Sequence, residues 1–266
     1  MDFDFLVRVA KEAGRAILDV YETDFEVSRK EDRSPLTLAD MRSHEIISGW
    51  LRDGYPEIPI LSEEGREIPF EERRTWDSFW LVDPLDGTKE FVKRNGEFTV
   101  NIALIKNRAP VFGIIYIPVA DLAFVADVNE GCWEISSGGK RKLAVARVST
   151  TAPVRVVRSR SHPTPGLEQF LALIASHQIV NRGSALKFCS VASGEADFYP
   201  RFGPTWEWDT AAGHAIVTAA GGVMVDLSGN PFVYNKENLL NGPFLVASSM
   251  EWLKETGILE AASKLP

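Results

Sequence analysis

Trp80-Leu81-Val82-Asp83-Pro84-Leu85-Asp86-Gly87-Thr88-Lys89-Glu90-Phe91 is an apolar run that ends in acidic residues no ordinary turn requires. Phe79 to Val82 is short and continuously apolar, as suits a strand covered on both faces. Asp83 is expected at the end of that strand. Pro84 biases it toward extended backbone and fixes its own φ, and the following Asp-Gly pair suits a sharp turn. Such a turn can aim Asp83 and Asp86 at one point. Two carboxylates with the Leu85 carbonyl between them are hard oxygen donors, which favour Mg²⁺ or Mn²⁺ over zinc, and Thr88 adds a hydroxyl. Taken alone, a D-x-x-D-G string also describes a surface turn.

Upstream, Leu6, Val9, Ala10, Ala13, Ile17, Val20 and Tyr21 recur at helical spacing, so residues 3 to 22 read as an amphipathic helix. Glu26 to Ser34 is a charged connection. Ser34 to Asp40 leads into a second expected helix running through Ile46, Ile47, Trp50 and Leu51, with Asp40 in its first turn, where the helix dipole alone accounts for an acidic residue. Ile58 to Ser62 is a short apolar segment running into Glu63-Glu64-Gly65, two like charges that repel unless a cation is near or the loop is exposed. Residues 66 to 77 read as a polar connection.

Downstream, Phe98–Ile105, Val111–Ile117, Leu122–Val128 and Gly131–Ile135 are β-rich runs separated by turn signals, an antiparallel meander, with residues 142 to 149 returning to the sheet. A change of texture to alternating strand and helix puts a domain boundary near residue 150. Val154–Val157 is a strand ending in a donor cluster, Arg158-Ser159-Arg160-Ser161-His162, and Pro165 to His177 reads as a helix. Gly183-Ser184 precedes another helix with Lys187 near its first turn, which suits either a bound phosphate or a capped helix with a solvated lysine. Asp209 or Thr210 stands where either could cap the helix running to Ala220. Residues 221 to 226 and 245 to 248 are late strands, and Glu251 to Ala262 a closing helix.

The string D-P-L-D-G-T-K-E-F resembles the signature of the Mg²⁺-dependent, lithium-sensitive phosphatase superfamily of inositol monophosphatase, fructose-1,6-bisphosphatase and 3′(2′),5′-bisphosphate nucleotidase. Thr37-Leu38-Ala39-Asp40, Glu63-Glu64 and Trp208-Asp209-Thr210-Ala211-Ala212-Gly213 follow the same order. The resemblance implies a layered αβαβα sandwich combining α+β and α/β parts. Residues 1–150 would form an N-terminal α+β metal-binding part and 151–266 a C-terminal α/β part with substrate contacts. It also implies that Glu63, Asp83 and the Leu85 carbonyl hold one Mg²⁺, that Asp83, Asp86 and Asp209 hold a second, with a third near Glu63, and that Mn²⁺ can substitute. Thr88 and Asp40 would orient the attacking water and take its proton.

Within the superfamily, K-E-F after D-G-T, the R-S-H element, Gly183-Ser184-Ala185-Leu186-Lys187-Phe188 and the run from Tyr199 to Asp209 are most similar to the bacterial 3′(2′),5′-bisphosphate nucleotidases. That similarity implies a phosphoric monoester hydrolase that converts adenosine 3′,5′-bisphosphate, a by-product of sulfur metabolism, into AMP. Its substrate contacts would be Gly87, Thr88, Ser159, His162, Gly183 and Lys187. The same chemistry on inositol or sugar phosphates is the near alternative, and a catalytically silent metal-binding regulator the remote one. Intact Asp40 and Thr88 argue against the latter.

The bulk properties agree. The chain has 266 residues, 45% of them hydrophobic, and a net charge of −8, which opposes non-specific nucleic-acid binding. Cys132 and Cys189 have neither metal-ligand spacing nor a disulfide framework, as expected in a reducing cytosol. The N-terminus lacks the features of a signal peptide, and the longest apolar stretch is interrupted by Pro118, Asp121 and Asp127. The expected protein is a cytoplasmic monomer or homodimer with no integral membrane segment; peripheral attachment to the inner membrane stays open.

Overall fold

Two helices lead the chain, α1 (Phe3–Tyr21) and α2 (Pro35–Gly54). The Asp2 carboxylate caps α1, accepting from the Phe5 amide at 2.9 Å, and Leu6, Val9, Ala10, Ala13, Ile17 and Val20 form its buried stripe. The computed structural model describes residues 2–23, 35–147, 153–161, 165–174 and 176–264. The charged connection up to Ser34, the expected boundary near residue 150 and His162 lie outside them.

A seven-stranded sheet follows. Its strands lie side by side in chain order: β1 (Ile60–Ser62), β2 (Ser78–Asp86), β3 (Thr99–Lys106), β4 (Ala109–Ile117), β5 (Leu122–Asp127), β6 (Gly131–Ser136) and β7 (Gly139–Leu143). β1 runs parallel to β2, and every later neighbour is antiparallel, so the meander is present. The returning strand is shorter and earlier than expected: it begins at Gly139 and ends at Leu143. Helix α3 (Phe70–Arg73) lies between β1 and β2, and α4 (Thr88–Val92) between β2 and β3. The supposedly plain connection at 66–77 therefore carries a helical turn, and its Arg73 is buried.

The second half supplies β8 (Val154–Ser159), α5 (Pro165–Leu171), β9 (His177–Arg182), α6 (Leu186–Ala192), β10 (Phe198–Arg201), β11 (Thr205–Trp206), α7 (Glu207–Ala219), β12 (Val223–Asp226), β13 (Leu240–Asn241), β14 (Phe244–Ala247), α8 (Met250–Glu255) and α9 (Ile258–Ser263). Five of these strands form a sheet in the order β12-β14-β10-β8-β9, and β11 pairs with β13 separately. The helix expected to reach His177 stops at Leu171. β-Branched Ile179 and Val180 instead pair in parallel register with Val156 and Val157, extending the sheet by an edge strand. The closing helix is split by Gly257, whose φ of 71° no helix interior tolerates.

Burial shows the layering. Trp80 and Val82 of β2 point into a cluster with Leu6 and Ile17 of α1 and Ile47 of α2. Phe79 and Leu81, on the opposite face, join Phe188 of α6, Ile216 of α7, and Tyr199 and Val246 of the second sheet. That alternation is the period of two expected of a strand covered on both sides. The far face of the second sheet (Val156, Phe198, Leu245) packs against Phe170 of α5, Trp252 of α8 and Ile258 of α9. The order is helix, sheet, helix, sheet, helix, the αβαβα sandwich. α7 lies close on β4 because Gly113 has no side chain: a Cβ there would stand 2.5 Å from the Ala212 carbonyl oxygen.

Candidate active site

Residues three apart in a regular strand point to opposite faces, so Asp83 and Asp86 should not converge. In β2 they do, because Asp83 pairs with Asn101 and Asp86 with Thr99, so that three steps on β2 oppose two on β3. The extra residue is a β-bulge at Pro84-Leu85, which returns Asp86 to the side of Asp83. The strand thus continues through the acidic pair where the sequence suggested that it would stop. The Asp83 carboxylate, with 1% exposure, also accepts from the Leu85 amide at 3.1 Å and so braces the bulge from within. Gly87, at φ 94°, then reverses the chain into α4 and presents Thr88 at the exposed start of that helix.

Glu63 follows β1, and its amide donates to the Val82 carbonyl at 3.1 Å, setting it beside Asp83. Asp209 comes from the first turn of α7, where it accepts from the Trp206 amide at 2.8 Å. It therefore caps its own helix and also enters the cluster. Carboxylate oxygens of Glu63, Asp83 and Asp209 all lie within 4.8 Å of one another. Asp86 lines the same cleft but is outside that trio; its Oδ2 accepts from Ser184 Oγ at 2.5 Å, and Ser184 Oγ lies 2.6 Å from Thr99 Oγ1.

Asp40 occupies the second turn of α2, not the first, so the helix dipole does not account for it. It shares a face with Ser43, whose hydroxyl donates to the Pro84 carbonyl at 2.8 Å, and His44, whose Nδ1 is 2.9 Å from Ser62 Oγ. α2 is thereby pinned to the ends of β1 and β2. Asp40 is buried against Glu64 without lining the cleft, and its Oδ1 has no hydrogen-bond partner.

The electrostatics express this crowding. Burial first, then the charges of Glu64 and Glu63, push Asp40 up to about 8. Glu63 is raised to about 7 by burial and by Asp86 and Glu64, and Asp209 to about 8 by burial and Asp86. Asp83 lies well above the carboxylate range for the same reasons. Arg201 offsets only part of this charge at Asp209. Like-charged oxygen donors held this close suit a divalent cation, which would relieve all of the raised values at once.

The other walls of the cleft, whose volume is about 660 Å³, come from the second half of the chain and include Ser159, Ser161, Ser184, Lys187, Tyr199, Arg201 and Trp206. Ser159 and Lys187 are where the sequence expected substrate contacts, but Lys187 is not solvated. It has 6% exposure, donates to the Ser184 carbonyl, and is lowered to about 8 by burial. Gly183, expected among the substrate contacts, donates its amide to Glu97 Oε2 at 2.7 Å and is not among the cleft-lining residues. Glu97 is itself clamped by Arg160 through two bonds of 2.8 Å, which together with the Gly183 amide lower its pKa. Sequence reading missed Glu97, Arg201 and Ser184; only the Asn95-Gly96-Glu97 turn ahead of β3 hints at the first.

Residues 2–265 match the model of the inositol monophosphatase family. The chain is 46% identical over 248 residues to the 3′(2′),5′-bisphosphate nucleotidase CysQ of Escherichia coli O6:H1, covering 92% of this chain and 98% of that protein. Among solved structures it is similar to CysQ from Bacteroides thetaiotaomicron, described as a bacterial member of the inositol monophosphatase family, with a TM-score of 0.84, 41% identity, and coverage of 92% of this chain and 97% of the other. An inositol monophosphatase from Anabaena superposes with a TM-score of 0.78 at 24% identity over 99% and 95% of the two chains, which speaks for the fold alone. With its acidic cluster, its five layers and a match over almost its whole length, the chain belongs to the inositol monophosphatase family.

Proposed function

We propose that the protein is a metal-dependent phosphatase that removes the 3′-phosphate of adenosine 3′,5′-bisphosphate, giving AMP and phosphate. The observation that carries the chemistry is the trio of carboxylates within 4.8 Å of one another, at the wall of a cleft large enough for a nucleotide. The choice of nucleotide rests on the 46% and 41% identity to the two CysQ proteins.

Glu63, Asp83 and Asp209, with Asp86 and the Leu85 carbonyl beside them, would hold Mg²⁺, with Mn²⁺ as a substitute. When bound, the metal would lower the pKa of a water and neutralise charge on the phosphoryl group. The chain's own residues do the remaining work. Asp40, buried against Glu64 with its Oδ1 free of any hydrogen-bond partner, is the group that would receive the proton of the attacking water, once a cation beside Glu63 offsets the charges that otherwise hold it protonated. Thr88, at the cleft edge, would orient that water. Lys187 and Arg201 bring positive charge to the wall facing the cluster, where a phosphate needs it. We read residues 1–150 as the metal-binding part and 151–266 as the substrate part, with Asp209 reaching across between them. Both cysteines are free and buried, which fits a reducing compartment, and we place the enzyme in the cytoplasm on that ground. No helix among the described residues is long and apolar enough to cross a membrane.

The test is phosphate release from adenosine 3′,5′-bisphosphate with and without Mg²⁺, beside inositol 1-phosphate and fructose 1,6-bisphosphate. Preference for the nucleotide, abolished by a chelator, is expected. Preference for inositol phosphate would retain the metal chemistry and reject the nucleotide; no release from any of them would reject both.

A further inference from the structure

We propose that Trp206 is the platform on which the substrate's nucleobase stacks, and so the residue that separates nucleotides from sugar and inositol phosphates; this rests on the substrate reading above. Trp206 is 42% exposed, although a large aromatic side chain is ordinarily well buried. It lines the same cleft as Glu63, Asp83 and Asp209. Two other aromatic residues line that cleft, Phe188 and Tyr199, but each has 2% exposure; they pack edge-on against each other, and in the core Tyr199 meets Phe244 edge-on while Phe188 stacks on it. Among the described lining residues, Trp206 is the aromatic with a face to offer.

That face is held in place. The Trp206 indole is stacked on that of Trp208, with 13° between the planes and 5.3 Å between centroids, and Trp208 packs on the core between the sheets. One face of Trp206 is therefore backed, which leaves the other to the cleft. The backbone is fixed on both sides: Trp206 pairs with Leu240 across β11 and β13, its carbonyl accepts from Asn241 Nδ2 at 2.7 Å, and its amide donates to Asp209 Oδ2 at 2.8 Å. The last bond ties the ring's backbone to a member of the acidic trio. A flat ring held at a set place beside the phosphate-cleaving groups matches a flat partner. Purines and pyrimidines have a π face, whereas a polyol has none.

The experiment compares wild type, Trp206→Ala and Trp206→Phe. In Trp206→Ala, the KM for adenosine 3′,5′-bisphosphate should rise roughly ten-fold, with the loss falling on KM and not on kcat, and Trp206→Phe should restore most of it. Product inhibition by AMP should weaken by a similar factor while inhibition by inorganic phosphate, which has no base, stays as in wild type. AMP should quench the intrinsic fluorescence of wild type more than that of Trp206→Ala. An unchanged KM and unchanged AMP inhibition in Trp206→Ala would overturn the platform. Equal weakening of AMP and phosphate would also overturn it, because that pattern marks damage to the acidic cluster through the Asp209 bond. Failure of the nucleotide reading shows separately, as absence of turnover in wild type.

Discussion

Glu207 and Asp209 stand two residues apart at the start of α7, and the protein treats them in opposite ways. Glu207, with 0% exposure, accepts from the Asn235 amide at 2.7 Å, the Lys236 amide at 2.9 Å and the Lys236 ammonium at 2.6 Å. Arg73 closes the same network, donating to Asn235 Oδ1 at 2.9 Å and to the Lys236 and Glu237 carbonyls at 2.5 and 2.7 Å. Asp209 accepts from the Trp206 amide and otherwise faces Asp86 and Glu63, which raise its pKa. A buried carboxylate needs compensation from somewhere. Glu207 finds it within the chain, and the network braces the α7 terminus from which Asp209 projects. For Asp209 and its neighbours compensation must come from a ligand, so their instability without one is the mark of the site.

The sharpest break between the two regions is a pair of substitutions. Asp83→Asn should lower kcat by at least about 10³-fold while leaving the melting temperature of the metal-free protein equal or higher, because a repelled charge is removed. A mutant with near-full turnover would sink the assignment of the cluster. Glu207→Ala should do the reverse: a loss of about 3 kcal/mol in denaturant unfolding, since Lys236 is stripped of its partner and two amides lose their acceptor. Equal stability of that mutant would show that the network is not the brace described.

Metal and pH sharpen the comparison further. Carboxylates whose folded pKa is raised bind more protons in the folded state, so their contribution is favourable below the unfolded value near 3.8 and is lost as pH rises toward about 8. The metal-free protein should therefore lose stability from this cluster between pH 4 and 8. Mg²⁺ at a hundred times its dissociation constant should restore about 2.7 kcal/mol, and the difference in melting temperature with and without Mg²⁺ should widen with pH. A gap that is the same at pH 5 and pH 8 would contradict the charge-crowding account.

The smallest effect lies on the Glu207 side of α7. Burial lowers His214 from 6.5 to about 4, and its Nδ1 is 3.2 Å from the Tyr234 hydroxyl. Here the unfolded chain binds the extra proton, so stability is full above 6.5 and falls as pH drops toward 4, by about 2 kcal/mol between pH 7 and 5. His214→Leu should flatten that acid limb, measured in the presence of Mg²⁺ so that the cluster's opposite slope does not mask it.

Much of the site was legible because its signals are short-range. Asp83 and Asp86 sit in one string whose acidic spacing pointed to a cation, whereas Glu63 and Asp209, which a local reading leaves as a loop and a helix cap, entered through the resemblance of their motifs to the phosphatase superfamily. The bulge was not legible: Pro84 and the Asp-Gly pair suggested a strand end, whereas pairing with Thr99 and Asn101 carries β2 through. The bond from the Gly183 amide to Glu97 was not legible, because the two residues lie 86 positions apart. Arg73 was passed over because its partner Asn235 is 162 residues distant. The strand β9 was missed since Ile179 and Val180 acquire a strand's surroundings only once Val156 and Val157 stand beside them.

The amino-acid sequence by itself determined the helices with apolar stripes, the meander, and the identity of the acidic side chains, because each depends on residues within a few positions of one another. The tertiary structure alone decided which charges are satisfied and which are left for a ligand, that Lys187 is buried, and that one face of Trp206 is backed by Trp208 at the cleft. Coulomb interaction and desolvation depend on distance in space and not along the chain, so residues as alike in sequence as Glu207 and Asp209 acquire opposite roles only when the chain has folded around them.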